Sequence, residues 1–293
     1  MTPGPDFPSV FEAVHGYRPY RWQERLAEEI DAAPIGQRNA GWPGAIAAPT
    51  GAGKTAVLDV AVWRLAMAAA SEGRRSAPMR IVFAVDRRVV VDQAHARACL
   101  IAERLKSAMD GPLAEVRALL ARFSGDEAAP LHVEQLRGGL PREDDWARSP
   151  AQPTILCTTV DQLGSRLLFR GYGISERMAP VHAGLLGEDA LVFLDEAHLS
   201  AAFVETLSGV ARWRSAREID LGLPWGYSLL TATPREGLER FSLSASEREE
   251  HAIKQRLKAR LQAVIVMVRS EDLGSVADAF VAHARRLAGG GGR

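Results

Sequence analysis

The sequence predicts an α/β fold in which a mostly parallel sheet is sandwiched by helices. Three observations predict it. Short β-branched or apolar runs recur between longer stretches rich in Ala, Leu and Arg. Several of these runs are apolar almost throughout, as strands covered on both faces must be. A strand candidate, a Gly-rich turn and a helix candidate also follow one another across residues 45–70, the order from which βαβ units are built.

Taken in order, Trp22–Ala32 reads as a helix with apolar residues at helical spacing. Ala45–Ala48 is a short apolar strand that stops at Pro49, and Thr55–Ala70 is a helix of good formers. Ile81–Asp86 is a buried strand ahead of the helix Arg88–Met109. Residues 111–150 carry Pro and Gly punctuation and the acids Glu143–Asp145, and read as an insertion or elaborated crossover. Strand Thr154–Thr158 then precedes helix Gln162–Arg170, strand Leu191–Asp195 precedes helix Glu205–Glu218, and Tyr227–Thr231 is the last strand. After Pro234 a polar, charged stretch runs to about Lys258, followed by the apolar run Ala263–Val268 and an amphipathic helix Leu273–Leu287. Gly289–Gly292 reads as a helix stop and linker, so the polypeptide is expected to lead toward a further domain. No internal repeat is visible.

Composition narrows the class. With 47% hydrophobic and 25% charged residues the chain is globular rather than disordered. Its 293 residues are enough for one large domain or two small ones. No run of eighteen apolar residues exists, so no membrane span is expected. Residues Met1 to Phe11 lack the basic and apolar regions of a signal peptide. Cys99 and Cys157 show no paired or metal-ligand spacing, which fits a reducing cytoplasm. Thirty-six Lys+Arg balance thirty-six Asp+Glu, so any nucleic-acid surface must come from local charge arrangement. The only lysines are Lys54, Lys106, Lys254 and Lys258.

Two motifs carry chemistry. Ala48-Pro-Thr-Gly-Ala-Gly-Lys-Thr55 sits between a strand and a helix, the context of a phosphate-binding P-loop. Thr50, Gly51, Ala52 and Gly53 would turn backbone N–H groups onto phosphate oxygens, helped by the positive end of the following helix. Lys54 would reach the β- and γ-phosphates of ATP, and the Thr55 hydroxyl would ligate Mg²⁺. Ala48 replaces the first Gly of the strict pattern. Leu191-Val-Phe-Leu-Asp-Glu-Ala-His198 is an apolar strand ending in two carboxylates and a histidine. In a parallel sheet it would bring Asp195 and Glu196 beside the phosphate loop. Asp195 would hold Mg²⁺, and Glu196 would polarise the attacking water.

In this order the motifs resemble the first RecA-like domain of a superfamily 2 DEAH-type helicase. The A-x-x-G-x-G-K-T loop, Asp195–His198 and Thr231-Ala-Thr-Pro234 carry the resemblance, the last being similar to motif III. Gly16-Tyr-Arg-Pro-Tyr-Arg-Trp-Gln23 is similar to a Q-motif, in which Gln23 would contact the adenine edge and Tyr17 or Tyr20 would stack near the base. The segments 83–93, 136–139, 158–172 and 182–186 further resemble the helicase part of CRISPR-associated helicase-nucleases of type I interference, nearest the I-G (formerly I-U) branch. The resemblance spans roughly residues 8–288.

The resemblance implies a RecA-like P-loop NTPase with the second RecA-like domain absent. It divides the chain into an N-terminal helical Q-motif region at 1–40, an ATPase domain at 41–235 with 111–150 inserted, and a linker at 236–293. It implies an ATP-dependent motor on single-stranded DNA, served by a Cascade-type surveillance complex, the missing second domain and an HD nuclease. None of the seven histidines is followed by Asp, so the nuclease is not expected in these residues. Candidate strand contacts are Arg87, Arg88, the Gly138 and Gly139 backbone, Thr158, Thr159, Asp161 and Gln162. His198, Thr231 and Thr233 would couple hydrolysis to movement. A general DEAH-type DNA or RNA helicase, or a non-catalytic nucleotide-binding remnant, are the alternatives.

Overall fold

Alternate residues along the central strands face opposite helical layers, and this sets the architecture. The computed structural model describes residues 4–71, 73–136, 145–232, 240–258 and 273–289. Seven strands form one sheet: β1 Ala45–Ala47, β2 Arg80–Val85, β3 His132–Leu136, β4 Thr154–Thr159, β5 Ala190–Asp195, β6 Gly226–Thr231 and β7 Arg240–Ser242. Their order is β3-β4-β2-β5-β6-β1-β7, and every pairing among the described residues is parallel. All strand carboxyl ends therefore share one edge, where ligands bind in open α/β sheets.

On one face, Ile81, Phe83 and Phe193 join a core with α1 Phe7–His15, α2 Arg21–Asp31, α3 Val57–Ala70, α4 Arg88–Ser107 and α5 Gly111–Ser124. On the other, Val82, Val192 and Leu194 pack with α6 Asp145–Arg148, α7 Val160–Leu167, α8 Ala179–Glu188 and α9 Ala201–Ala216. Phe83 and Phe193 are almost wholly buried, each contributing about 1.5–3 kcal/mol of apolar burial.

The structure adds elements to those the sequence predicts. The five predicted strands are present, with β3 and β7 in addition. Residues 111–150 are not irregular throughout: Pro112 lies in the first turn of α5 and Gly125 caps its end at φ 74°. That punctuation bounds a helix instead of breaking one. Helix α3 begins at Val57, later than Thr55, because Lys54–Ala56 form a tighter 3₁₀ turn. Within the expected 1–40 region, residues 7–30 share the core of the sheet through Phe7, Phe11, Trp22 and Leu26. Residues through Leu257 form one compact unit and Lys258–Arg293 a second. The segment expected as a linker from residue 236 thus supplies β7, α10 Ala245–Arg248 and most of α11 His251–Lys258 to the first unit. In the second unit the described element is α12 Leu273–Gly289. The apolar run Ala263–Val268 lies outside the described residues. No helix among the described residues is long and apolar enough to cross a membrane.

Candidate active site

The phosphate loop springs from the end of β1 and turns on two glycines. Gly51 and Gly53 have φ of 79° and 78°, a conformation that a Cβ disfavours. Gly53 is also hemmed in: an added Cβ would lie 2.9 Å from Gln23 Nε2. The Ala52 N–H donates to the Pro49 carbonyl at 3.1 Å, closing the turn. Thr50 and Gly51 are exposed at its tip, Ala52 is buried and Thr55 is half-buried. Lys54 is only 8% exposed. Its ammonium donates to the Ala48 carbonyl at 3.2 Å and lies 3.8 Å from Glu196 Oε1.

The carboxylates arrive from β5. Asp195 is its last residue, in register with Leu230 of β6. Its Oδ1 is buried and has no hydrogen-bond partner. Burial holds this carboxyl above the ordinary carboxylate range, the neighbouring Glu196 acts in the same direction, and the Lys54 cation opposes them. Glu196 occupies the left-handed region at φ 48°, ψ 47°, a placement that costs a non-glycine residue about 1–2 kcal/mol. The bend turns the chain into the 3₁₀ segment Ala197–Leu199 and puts the Glu196 carboxylate between Lys54 and His198 Nδ1, the latter at 3.4 Å.

A buried, unsatisfied carboxylate oxygen beside a lysine fits a hydrated divalent cation. Mg²⁺ is commonly held by one or two protein oxygens, with phosphate oxygens and water completing its shell. Asp195 and the Thr55 hydroxyl supply that chemistry. Among the described residues no group of three or more His, Cys, Asp or Glu is placed to hold a metal ion.

Motif III joins the loop through its backbone. Thr231 ends β6 opposite Ala47, and its carbonyl accepts the Ala48 N–H at 3.2 Å. Thr233 lies outside the described residues.

The Q-like segment is bound to the loop more directly than the sequence suggests. Gln23 is 2% exposed, donates from Nε2 to the Gly53 carbonyl at 3.1 Å, and accepts the Tyr20 N–H at 2.9 Å. Its amide is therefore already engaged with protein backbone. Tyr17 is exposed and packs edge-on against Phe11, whereas the Tyr20 ring is the one that reaches Gly53. Sequence reasoning missed Trp22, which is fully buried and donates from its indole to the Ala52 carbonyl at 3.1 Å. The signal was its place beside Gln23 on an amphipathic helix.

The expected strand contacts separate into several environments. Arg87 is exposed at the start of α4. The Arg88 side chain, Gly138 and Gly139 lie outside the described part of the structure. Thr158 is fully buried and its hydroxyl donates to the Leu136 carbonyl at 3.0 Å, so it braces β4 against β3 instead of facing solvent. Thr159 caps α7 by position at 7% exposure, and Asp161 is exposed. Gln162 is buried and its Oε1 accepts from Arg166 at 2.7 Å. Hydroxyl and amide chemistry at 158 and 162 is thus taken up inside the fold.

The type III restriction enzyme res subunit family matches residues 17–236. No curated protein sequence matches. Among solved structures, the yeast DEAD-box splicing factor Prp28 is similar at 15% identity and a TM-score of 0.44, covering 75% of this chain and 41% of its own. The DEAD-box helicase Mss116 bound to ssRNA and UDP-BeF is similar at 13% identity and a TM-score of 0.44, covering 78% and 38%. The chain spans less than half the length of either. The family match takes in the phosphate loop, the Asp195–Glu196 bend and the six strands β1 to β6, and the chain belongs to the family of type III restriction enzyme res subunits, with the helicase-like ATPase motor domain as its fold.

Proposed function

We propose that residues 1–293 carry the ATP-hydrolysing half of a motor that translocates on single-stranded DNA. The observation that carries the reading is the meeting of Lys54, Glu196 and the unsatisfied Asp195 carboxylate at the carboxyl ends of β1 and β5. The loop amides and Lys54 bind the nucleotide phosphates. Thr55 and Asp195 would hold Mg²⁺, which would supply positive charge to the phosphoryl oxygens. Glu196 accepts the proton of the attacking water, and its bent backbone keeps its carboxylate beside Lys54. His198 Nδ1 lies 3.4 Å from that carboxylate, and the Thr231 carbonyl ties β6 to the loop, so both would sense the nucleotide state.

The process we favour is type I CRISPR interference, with a Cascade-type complex delivering the strand and an HD nuclease cutting it. The support is the resemblance carried by segments 83–93, 136–139, 158–172 and 182–186. The family match favours a second reading, a motor of a restriction system. In either case a second RecA-like domain would supply the arginine finger, worth about 10³–10⁵ in rate. The chain alone is then expected to hydrolyse ATP poorly. Phosphate release with single-stranded DNA, with and without that domain in trans, tests the reading. Lys54→Ala should weaken ATP binding, and Glu196→Gln should keep binding but lose turnover. Equal turnover in Glu196→Gln and parent would overturn the assignment.

A further inference from the structure

We infer that a second anion site, for a phosphoryl ligand of nucleotide size, lies at the amino-terminal edge of the sheet, opposite the Lys54 edge. A cavity of about 870 Å³ opens there, bounded by Gly44 before β1, Ser76 before β2 and Tyr227 at the start of β6. Small-molecule pockets commonly measure about 300–1,000 Å³.

Its walls are rich in arginine. Seven line it, together with a single acid, Asp220. Several are engaged: Arg74 pairs with Asp220 at 2.9 Å, Arg75 with Asp189 at 2.7 Å, and Arg214 and Arg217 share Glu188. Even with Asp31, Glu188 and Asp189 counted beside Asp220, seven cations face four acids. In a chain of zero net charge this is a concentrated surplus.

Arg64 is the sharpest sign. Its side chain is 10% exposed, and its one ionic contact among the described residues is Asp31 at 3.7 Å, too long for a hydrogen bond. Burial pulls its pKa below the usual arginine range. A guanidinium taken so far out of water is ordinarily held by forked bonds to carboxylate or phosphate. Arg38 and Arg212 are exposed on the same walls, and no described acid pairs with them. A concave site with a clustered surplus suits a compact polyvalent anion better than a peptide, whose carboxylates are single charges spread along a chain. Tyr227, half-buried, adds an aromatic lining that can take a sugar or base.

The phosphoryl group can belong to a free nucleotide or to a strand end. The test is calorimetric titration of inorganic pyrophosphate into the Lys54→Ala protein, which leaves the first site disabled. Pyrophosphate should still bind, and the double substitution Arg38→Glu/Arg212→Glu should weaken it at least tenfold without lowering the melting temperature. Stronger binding of a 5′-phosphorylated than a 5′-hydroxyl oligonucleotide would assign a strand end. Equal binding of the two, with a nucleoside diphosphate tighter than both, would assign a free nucleotide. No heat at millimolar pyrophosphate, or the same affinity in the double variant, would overturn the proposal. Because Lys54 is already removed, failure here leaves the ATP-site reading standing.

Discussion

Replacing Asp195 by Asn should make the unliganded protein more stable while removing its response to Mg²⁺. The carboxylate ends β5 with one oxygen buried and unsatisfied, and burial is the leading reason its pKa lies above the ordinary range. An unsatisfied buried polar group costs about 1–3 kcal/mol. Attraction to Lys54 returns part of this but less than burial takes, since the carboxyl stays above its ordinary range. Asn keeps the shape and drops the charge, so a net gain of about 1 kcal/mol follows, or about 2–4 °C in melting temperature for a domain of this size. The sign with pH is fixed by the raised pKa: the folded state disfavours the ionised form, so the penalty is present above the ordinary carboxylate range and vanishes as pH falls. The Asn advantage should shrink with acidification. Nucleotide with Mg²⁺ at about a hundred times its Kd adds about 2.7 kcal/mol to the parent, and most of that increment should vanish in the variant. Thermal unfolding followed by circular dichroism, with and without Mg²⁺-nucleotide, reads both effects. An Asn variant that melts below the parent without ligand, or that gains the same increment with it, would refute the reasoning.

Trp22→Phe removes the indole donor to the Ala52 carbonyl. It should lower stability by about 1 kcal/mol and weaken nucleotide binding, measured by a urea midpoint and a fluorescent-nucleotide titration; unchanged affinity would separate Trp22 from the loop. Asp189→Ala should be far more damaging. Its carboxylate serves Arg75 at 2.7 Å, the buried Arg80 at 3.0 Å and the Met79 N–H at 3.0 Å. Stranding those cations should cost about 3–5 kcal/mol in chemical denaturation, and a loss under about 1 kcal/mol would sink that account.

The parallel α/β plan was legible because the central strands are apolar on both faces. Ile81–Val85 and Leu191–Leu194 are buried residue by residue. The edges were not legible for the converse reason. In β7 only Phe241 is buried, and β3 is half-buried along most of its length, so neither leaves a hydrophobic run. Helix α1 carried readable caps, Asp6 accepting from Ser9 and Gly16 in the left-handed region, but spans only nine residues. At the candidate site, motif spacing located Lys54 and Asp195–Glu196. It was silent on which polar groups the fold engages: Thr158 donates to the Leu136 carbonyl across β4 and β3, a tertiary contact that no local pattern encodes, and Gln162 accepts from Arg166 one turn on in α7, an i,i+4 pair whose burial only the packing of that helix decides.

The seating of β1 has a consequence for biosynthesis. This strand is three residues long and is flanked by β6 and β7, both of which follow it by most of the length of the unit. While the chain is being made, β1 emerges early and waits with both edges open. Until residues 226–231 and 240–242 have left the ribosome, the strand that bears the phosphate loop has no neighbours and the Ala48 amide lacks the Thr231 carbonyl. Such long-range pairing is slow to form and exposed to misassembly in the interval. Competence to hold nucleotide is therefore among the last properties the nascent protein acquires, and a ribosome paused before β6 would carry an intact motif without a working site.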